Sequence, residues 1–421
     1  MNTPAPHLVR IRCLFSWPTV WAACAWLLPL TWAFTARAAS APEFELSPLH
    51  KKANEVVFEV GRKAPFLGVF THVEPAFSLE DKLHSMKQVI ERNPFITGIT
   101  LKIQWKQFHP EPDRIDFEGL EALIDTAARA GKLVTLGLIP GGASPEWIYD
   151  FGVKKVGPVR AGARTVTAPV PWDYRYLEIY WGDLRRIQAR YGNDPRVWAI
   201  KVLGHNYNHV GEEMHAPPAA ELKPYGWTKH KFLENWKVWI DLYDEMFPNK
   251  KLILVVSQNY TGEPGAEALS EGVARYFVEK CQGRAILMSH QLHGRHDGLA
   301  FGPEICRKLS DLAPNAHEFV GSMKETPERQ GTMPMVIYNT VQAGNPIFLQ
   351  LWRRDCDDPT YVKQVLEAWN RYGWILRESL ELVLKDENLF VDRANAPKGN
   401  FGPGKADEPR ERPKDFPSAK K

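Results

Sequence analysis

Short apolar runs alternate with longer amphipathic stretches along the chain from Phe66 to Leu380. Each apolar run predicts a β-strand, and each amphipathic stretch that follows it predicts a helix. Strands that are apolar along their whole length are typical of a parallel sheet that helices cover on its outside. The eight predicted strands are Phe66–Phe70, Ile96–Trp105, Lys132–Ile139, Val197–Gly204, Lys251–Ser257, Ala285–His290, Phe319–Lys324 and Pro346–Trp352.

The number and size of these units predict the fold. Eight strand–helix units in about 315 residues are the count and length of a (β/α)8 TIM barrel, an α/β fold. The alternative is an open, doubly wound sheet, which favours a glycine-rich phosphate turn after its first strand. The segment Thr71–Pro75 contains no glycine. We therefore predict a single-domain barrel over residues 66–390, preceded by a lead-in over residues 39–65.

The N-terminus has the pattern of a secretory signal peptide. A basic start with Arg10 and Arg12 precedes the uncharged apolar run Leu14–Phe34, and Ala36-Arg37-Ala38 fits the small-residue cleavage pattern. A membrane anchor is the alternative, because the run is just long enough to span a bilayer. Cleavage is favoured because prolines interrupt the run. This predicts a signal peptide over 1–38, a secreted or periplasmic protein, and no stable membrane insertion after cleavage.

The C-terminal residues 391–421 differ in composition from the barrel. They contain five Pro, three Gly and eight basic residues, with Phe401 and Phe416 as their aromatics. Such a segment has too little apolar surface to form a core. We predict a disordered tail.

Charge and motifs exclude several classes of function. The 53 basic residues exceed the 50 acidic ones by three, and Arg10, Arg12 and Arg37 of the predicted signal account for that surplus. The mature chain is therefore neutral, and charge gives no reason to expect a nucleic acid as partner. No phosphate-binding loop, dinucleotide fingerprint or nucleophile elbow occurs. We expect no cofactor, and the oligomeric state stays open.

Three cysteines remain after removal of the predicted signal. They are Cys281, Cys306 and Cys356. An odd number allows at most one disulfide, and the sequence does not indicate which pair would form it. No Cys-x-x-Cys pair is present to suggest a cysteine zinc site.

The second to fourth units resemble a known enzyme superfamily. The strand Ile99–Trp105 ends in Trp and leads through a proline-rich turn to a helix start within His109–Leu120. Gly131–Val134, Ser144–Trp147 and Arg190–Ile200 follow in matching order. Together these motifs resemble retaining (β/α)8-barrel glycoside hydrolases, in particular β-galactosidase-like members. The resemblance implies a glycosidase, with a poly- or oligosaccharide as its partner.

The resemblance also implies one catalytic carboxylate at the end of the fourth strand and one at the end of the seventh. Retaining enzymes hold such a pair ~5–5.5 Å apart, one as nucleophile and the other as acid/base. At the seventh predicted strand, Glu325 occupies the nucleophile position. At the fourth, the expected Asn-Glu is replaced by Gly204–Asn208, and the nearest acids are Glu212 and Glu213. We favour Glu213 as acid/base over Glu212. The departure leaves open a wider, inverting pair or the loss of hydrolysis.

Polar and aromatic residues near the predicted strand ends are the candidates for sugar binding, because ligands of such barrels meet these loops. These residues hydrogen-bond hydroxyl groups or stack against sugar rings. The candidates are His72, Glu74, Trp105, His205, Asn206, His290 and Trp352.

Two other classes of function stay open. One is a metal-dependent barrel hydrolase, because histidines crowd two strand ends near Glu212 and Glu213. They are His205, His209, His215, His290, His293 and His296. Amidohydrolase-like barrels begin with His-x-His, whereas this chain has His72-Val73-Glu74, so we assign no metal. The other class is a non-catalytic, carbohydrate-binding barrel.

Overall fold

The computed structural model describes residues 44–372, apart from the short stretches 74–76, 162–163, 205–206, 208–211, 215–216, 258–265 and 296–298. The predicted signal peptide and the predicted tail lie outside the described residues. So does the end of the predicted barrel, residues 373–390.

Eight parallel strands close into a barrel, which confirms the predicted fold. In chain order the strands are β1 (Val69–Val73), β2 (Ile96–Gln104), β3 (Leu133–Ile139), β4 (Lys155–Ala161), β5 (Arg164–Pro169), β6 (Val197–Lys201), β7 (Lys251–Val255), β8 (Ala285–Leu292), β9 (Asn315–Phe319) and β10 (Pro346–Leu351). Strands β4 and β5 pair with each other as an antiparallel hairpin. The other eight form the barrel in the order β1-β10-β9-β8-β7-β6-β3-β2.

Helices follow the barrel strands, and some of them begin at side-chain caps. The Ser78 hydroxyl accepts a hydrogen bond from the Asp81 amide, and the Asp116 carboxylate accepts one from the Gly119 amide. Such caps satisfy backbone donors that a helix start leaves unpaired. Within the described part of the chain, no helix is long and apolar enough to cross a membrane. The helices are α1 (Pro48–Glu55), α2 (Leu79–Arg92), α3 (Trp105–Phe108), α4 (Phe117–Arg129), α5 (Tyr174–Tyr191), α6 (Ala219–Leu222), α7 (Lys229–Met246), α8 (Ala266–Lys280), α9 (Phe301–Lys308), α10 (Pro327–Gln330), α11 (Met333–Gln342) and α12 (Pro359–Tyr372).

The lower half of the barrel interior is filled by apolar side chains. The Phe70 and Phe348 rings stack with their centroids 4.1 Å apart, and the Trp198 ring meets Phe348 edge-on. Ala316 and Met288 belong to the same buried cluster. These residues close the barrel at its amino end, so a site inside it is reached from the carboxyl end of the strands.

The position predicted for the seventh strand was wrong. The prediction was Phe319–Lys324, whereas β9 spans Asn315–Phe319 and is buried along its whole length. The error arose because Asn315, His317 and Glu318 are polar, and such residues do not resemble an apolar run. In this barrel they are accommodated by buried partners: Asn315 Oδ1 lies 2.8 Å from His317 Nε2.

The three described cysteines are free thiols in the core. Burial raises the pKa of Cys281 and of Cys356 to about 12. These thiols are therefore protonated near neutral pH, which makes them poor nucleophiles and metal ligands.

Candidate active site

A layer of charged and polar side chains lies directly above the apolar floor of the barrel. Residues two apart on a strand point to the same side. Glu318 therefore follows Ala316 into the interior, as His290 follows Met288. The remaining members of the layer arise in the same way on the other strands: His72 above Phe70, Lys201 above Ala199, and Gln350 above Phe348.

Two buried carboxylates meet in this layer. Glu318 comes from β9, and Glu212 comes from the loop after β6; each is less than 5% exposed. One oxygen of Glu212 and one of Glu318 lie within 4.8 Å of each other. The absence of a side chain at Gly137 of β3 makes room for Glu212, because a Cβ atom there would lie 3.2 Å from Glu212 Oε1. The loop thus returns Glu212 to the barrel centre.

Two buried lysines neutralise this pair of carboxylates. Lys102 Nζ of β2 lies 2.9 Å from Glu318 Oε2 and 3.4 Å from Glu212 Oε2. Lys201 Nζ of β6 forms a short ion pair with Glu212 Oε2. Gln350 also donates a short hydrogen bond to Glu318, and its own Oε1 accepts one from Thr100. Each carboxylate is therefore fixed by more than one donor.

The surrounding charges determine the protonation state of Glu318. Burial alone would raise its pKa, but the nearby positive charges, led by His290 and Lys102, outweigh burial and hold the pKa well below its usual range. For Lys102, burial would lower the pKa, but Glu318 and Glu212 outweigh it and raise the pKa. Glu318 is therefore an anion, and Lys102 a cation, at neutral pH. For Lys201, burial lowers the pKa.

His72 and Trp352 form one wall beside Glu318. His72 Nδ1 lies 3.8 Å from Glu318 Oε2, and the His72 ring meets the Trp352 ring edge-on at 5.4 Å. Burial and the Lys102 charge lower the pKa of His72 to about 3, so this imidazole is neutral. Trp352 Nε1 donates to the Phe319 carbonyl, which fixes the indole while leaving it partly exposed.

His290 lies on the opposite side and links both carboxylates to Glu213. His290 Nδ1 is 2.9 Å from Glu213 Oε1, while His290 Nε2 is 3.6 Å from an oxygen of Glu212 and from one of Glu318. Glu213, with a side chain 19% exposed, is the most accessible of the three carboxylates. Its contact holds the imidazole ring toward the pair.

Glu325 does not lie in this layer. Its side chain is 45% exposed and forms an ion pair with Arg354 on the surface. The prediction placed it at the end of the seventh strand, but β9 ends at Phe319, so Glu325 belongs to the loop beyond. The buried acid at the end of that strand is Glu318.

Trp105 lies in the core instead of lining a cleft. It is fully buried, and its Nε1 donates to the buried Asp183 carboxylate at 2.6 Å. Its ring contacts Tyr180 edge-on at 5.0 Å. Three other sugar-binding candidates, Glu74, His205 and Asn206, lie outside the described residues.

The sequence analysis missed Lys102, Lys201, Glu318 and Gln350 as members of the site. A signal exists for Lys102, Lys201 and Gln350: each is a polar residue within or at the end of a largely apolar strand. Glu318 lacks this signal, because the rest of β9 is also polar. Lys102 stands within the strand Ile96–Gln104, and Lys201 ends the strand Val197–Lys201. A lysine or glutamate at such a place is buried, and a buried charge requires a partner.

The same side chains provide donors for a metal ion, but their neighbours oppose one. Atoms of Glu212, His290 and Glu318 lie within 4.8 Å of one another. The Oε2 atoms of both carboxylates already contact the ammonium groups of Lys102 or Lys201. A divalent cation there would meet two positive charges in a low-dielectric interior, so the donor set does not fit a metal. Of the other histidines considered, His205, His209, His215 and His296 lie outside the described residues.

Comparison with known proteins supports the resemblance found in the sequence. The glycoside hydrolase 42 family model, described as Beta-galactosidase, matches residues 78–235. This segment includes β2, β3, β6 and the loop that carries Glu212. The match confirms the resemblance to β-galactosidase-like glycoside hydrolases and supports the expectation that the chain is a glycosidase.

Several solved structures resemble the chain at low sequence identity. A β-galactosidase from Halorubrum lacusprofundi is 14% identical with a TM-score of 0.50, over 74% of this chain and 58% of that one. A β-galactosidase from Marinomonas ef1 is 11% identical with a TM-score of 0.46, over 76% and 62% of the two chains. A xylanase from Thermotoga maritima is 13% identical with a TM-score of 0.45, over 78% and 98%. The chain thus spans about three fifths of the length of these two β-galactosidases.

Proposed function

We propose that the chain is an exported glycoside hydrolase that cleaves glycosidic bonds in an oligo- or polysaccharide with two carboxylates. Glu318 is the nucleophile, and Glu212 is the acid/base. The observation that carries the proposal is the approach of the two carboxylates to within 4.8 Å at the carboxyl end of the barrel. The basic, apolar and small-residue regions of residues 1–38 support export.

The separation of the carboxylates favours retention of anomeric configuration. Retaining enzymes hold the two groups ~5–5.5 Å apart, whereas inverting enzymes need ~6.5–9.5 Å to admit a water molecule. An ionised Glu318 attacks the anomeric carbon and forms a glycosyl ester, while the leaving oxygen takes a proton from the acid. Water then cleaves the ester, giving its proton back to the acid/base and restoring the Glu318 carboxylate.

Glu212 fits the acid/base role better than Glu213. The Glu213 carboxylate is directed to His290 Nδ1, so the imidazole stands between it and Glu318. Glu212 faces Glu318 directly and also contacts Lys201. The leaving group then receives its proton from the Lys201–Glu212 pair, which holds one proton whichever of the two groups carries it.

The test compares Glu318→Gln with Glu325→Gln on a panel of 4-nitrophenyl glycosides that includes the β-galactoside. We expect Glu318→Gln to lower kcat/KM on the order of 10³-fold or more, and Glu325→Gln, at the exposed acid, to leave it unchanged. Azide should restore turnover of a Glu318→Ala variant, because the shortened side chain leaves room for a small anion that replaces the missing nucleophile. Undiminished cleavage by Glu318→Gln would remove Glu318 from the mechanism. Glycan binding without product in the unmodified protein would favour a non-catalytic barrel.

A further inference from the structure

Lys102 occupies a distinctive position in the charged layer. Its ammonium lies 2.9 Å from Glu318 and 3.4 Å from Glu212, and its side chain is 5% exposed. Among the described residues, the other buried lysine of the layer, Lys201, forms an ion pair with Glu212 but none with Glu318. Lys102 is therefore the cation that contacts both members of the proposed catalytic pair.

The other groups facing Glu318 do not replace this contact. His72 of β1 is neutral and 3.8 Å away. The charge of His290 of β8 also lowers the pKa of Glu318, but its Nε2 lies 3.6 Å away, beyond hydrogen-bond distance. Gln350 of β10 donates a hydrogen bond but carries no charge. Lys201 of β6 acts on Glu318 through its charge alone, and Glu212 supplies no positive charge. The full positive charge within hydrogen-bond distance of Glu318 is that of Lys102.

We propose that Lys102 is the positioning residue of this site: its ammonium bridges the two carboxylates, holds them at short separation and keeps Glu318 in its charged form. The roles of the two acids rest on the function proposed above. The bridge itself rests on the distances and on the burial of all three groups. Without it, two carboxylates this close in a dry interior would repel each other, and one would take up a proton.

The experiment replaces Lys102 by Met and by Gln and follows the ionisation of Glu318. The substrate is a 4-nitrophenyl glycoside that the unmodified protein cleaves. The fall of kcat/KM at low pH, its acid limb, reports the pKa of the essential carboxylate in the free enzyme. Loss of an opposite charge at this distance should move that limb to higher pH by about 1–3 units. We expect kcat to fall more than KM rises, and Lys102→Arg to return the limb toward the pH of the unmodified protein.

A second readout does not depend on turnover. The infrared carboxylate band that Glu318→Gln removes should titrate at higher pH in both neutral Lys102 variants. Lys132→Met is the matched control: Lys132 is also a buried lysine, but it donates to the carbonyls of Pro94 and Ile96, away from the site. It should lower stability without moving either titration.

Either result for Lys102 is decisive. If the acid limb and the Glu318 band keep their pH in Lys102→Met or in Lys102→Gln, Lys102 is a structural lysine and the proposal is overturned. If instead Glu318→Gln keeps its activity, the proposed function fails, while the infrared titration still shows whether Lys102 ionises Glu318.

Discussion

Replacing Glu212 by glutamine would remove one negative charge from a buried cluster while nearly preserving its volume. The two side chains of the Lys201–Glu212 pair are fully buried. Lys102 keeps Glu318 as a partner after the change, whereas Lys201 loses the carboxylate with which it is paired. The variant therefore isolates the free energy of leaving one ammonium group unpaired inside the barrel.

The size of the effect is limited by proton release. Breaking a buried ion pair costs ~3–5 kcal/mol when the remaining charge stays. The native state can instead release the proton of Lys201, whose pKa burial already lowers. Releasing it at pH 7 from a group with an ordinary pKa of ~10.4 costs about 4.6 kcal/mol, and about 3.3 kcal/mol at pH 8. The unfolded variant then binds one proton more than the native variant, so raising the pH favours the native state.

The assay is urea unfolding of Glu212→Gln and of the unmodified protein, followed by tryptophan fluorescence at pH 7 and pH 8. We expect a loss of ~3–5 kcal/mol at pH 7 that shrinks by as much as ~1.4 kcal/mol at pH 8. The double variant Glu212→Gln/Lys201→Met, which removes the stranded ammonium, should recover much of the loss. A stability equal to that of the unmodified protein, or a double variant less stable than Glu212→Gln, would refute the reasoning.

Two further predictions concern Gly137 beside Glu212 and the buried Asp355. Gly137→Ala should lower kcat about tenfold, or ~1.4 kcal/mol, because its Cβ would lie 3.2 Å from Glu212 Oε1; steady-state kinetics with unchanged kcat would contradict this crowding. Asp355→Ala should lower the free energy of unfolding by ~2–4 kcal/mol. This buried carboxylate accepts hydrogen bonds from the Ser322 hydroxyl and from the backbone amides of Met323 and Lys324. Urea unfolding measures the Asp355 effect, and Asp113→Ala, at an exposed aspartate, is its control, expected to change stability little.

The barrel could be predicted because seven of its strands are largely apolar and each precedes an amphipathic helix. The strand predicted at Ile96–Trp105, for example, is found over Ile96–Gln104. The exception was β9, where His317 and Glu318 point in opposite directions along a buried strand. The apolar pattern there favoured the next segment, and this shift selected Glu325 instead of Glu318. The same physical feature, a carboxylate placed inside the barrel, thus defines the proposed site and obscures the strand that carries it.

The fourth strand shows a different limit of sequence reasoning. Glu212 lies eleven residues after Lys201, and no local pattern indicates that the intervening loop returns to the barrel centre. Its return depends on the space above Gly137 and on the ammonium of Lys201, both of which are tertiary features. The expected Asn-Glu motif indicated where the acid/base should lie but matched no residue there. The sequence alone therefore could not decide whether Glu212 or Glu213 is the acid/base.

The charged layer is itself an argument for function. Replacing buried ion pairs by packed apolar residues is often neutral or stabilising, so stability does not require Lys102, Lys201, Glu212 and Glu318 to fill this part of the barrel. The floor below them, built around Phe70 and Phe348, closes the same barrel with apolar side chains. The change from apolar to charged residues occurs within two positions along the strands, toward the end at which barrels of this kind bind their ligands. A function that needs an ionised carboxylate beside a second acid accounts for that change. Packing alone would favour apolar side chains at these positions as well.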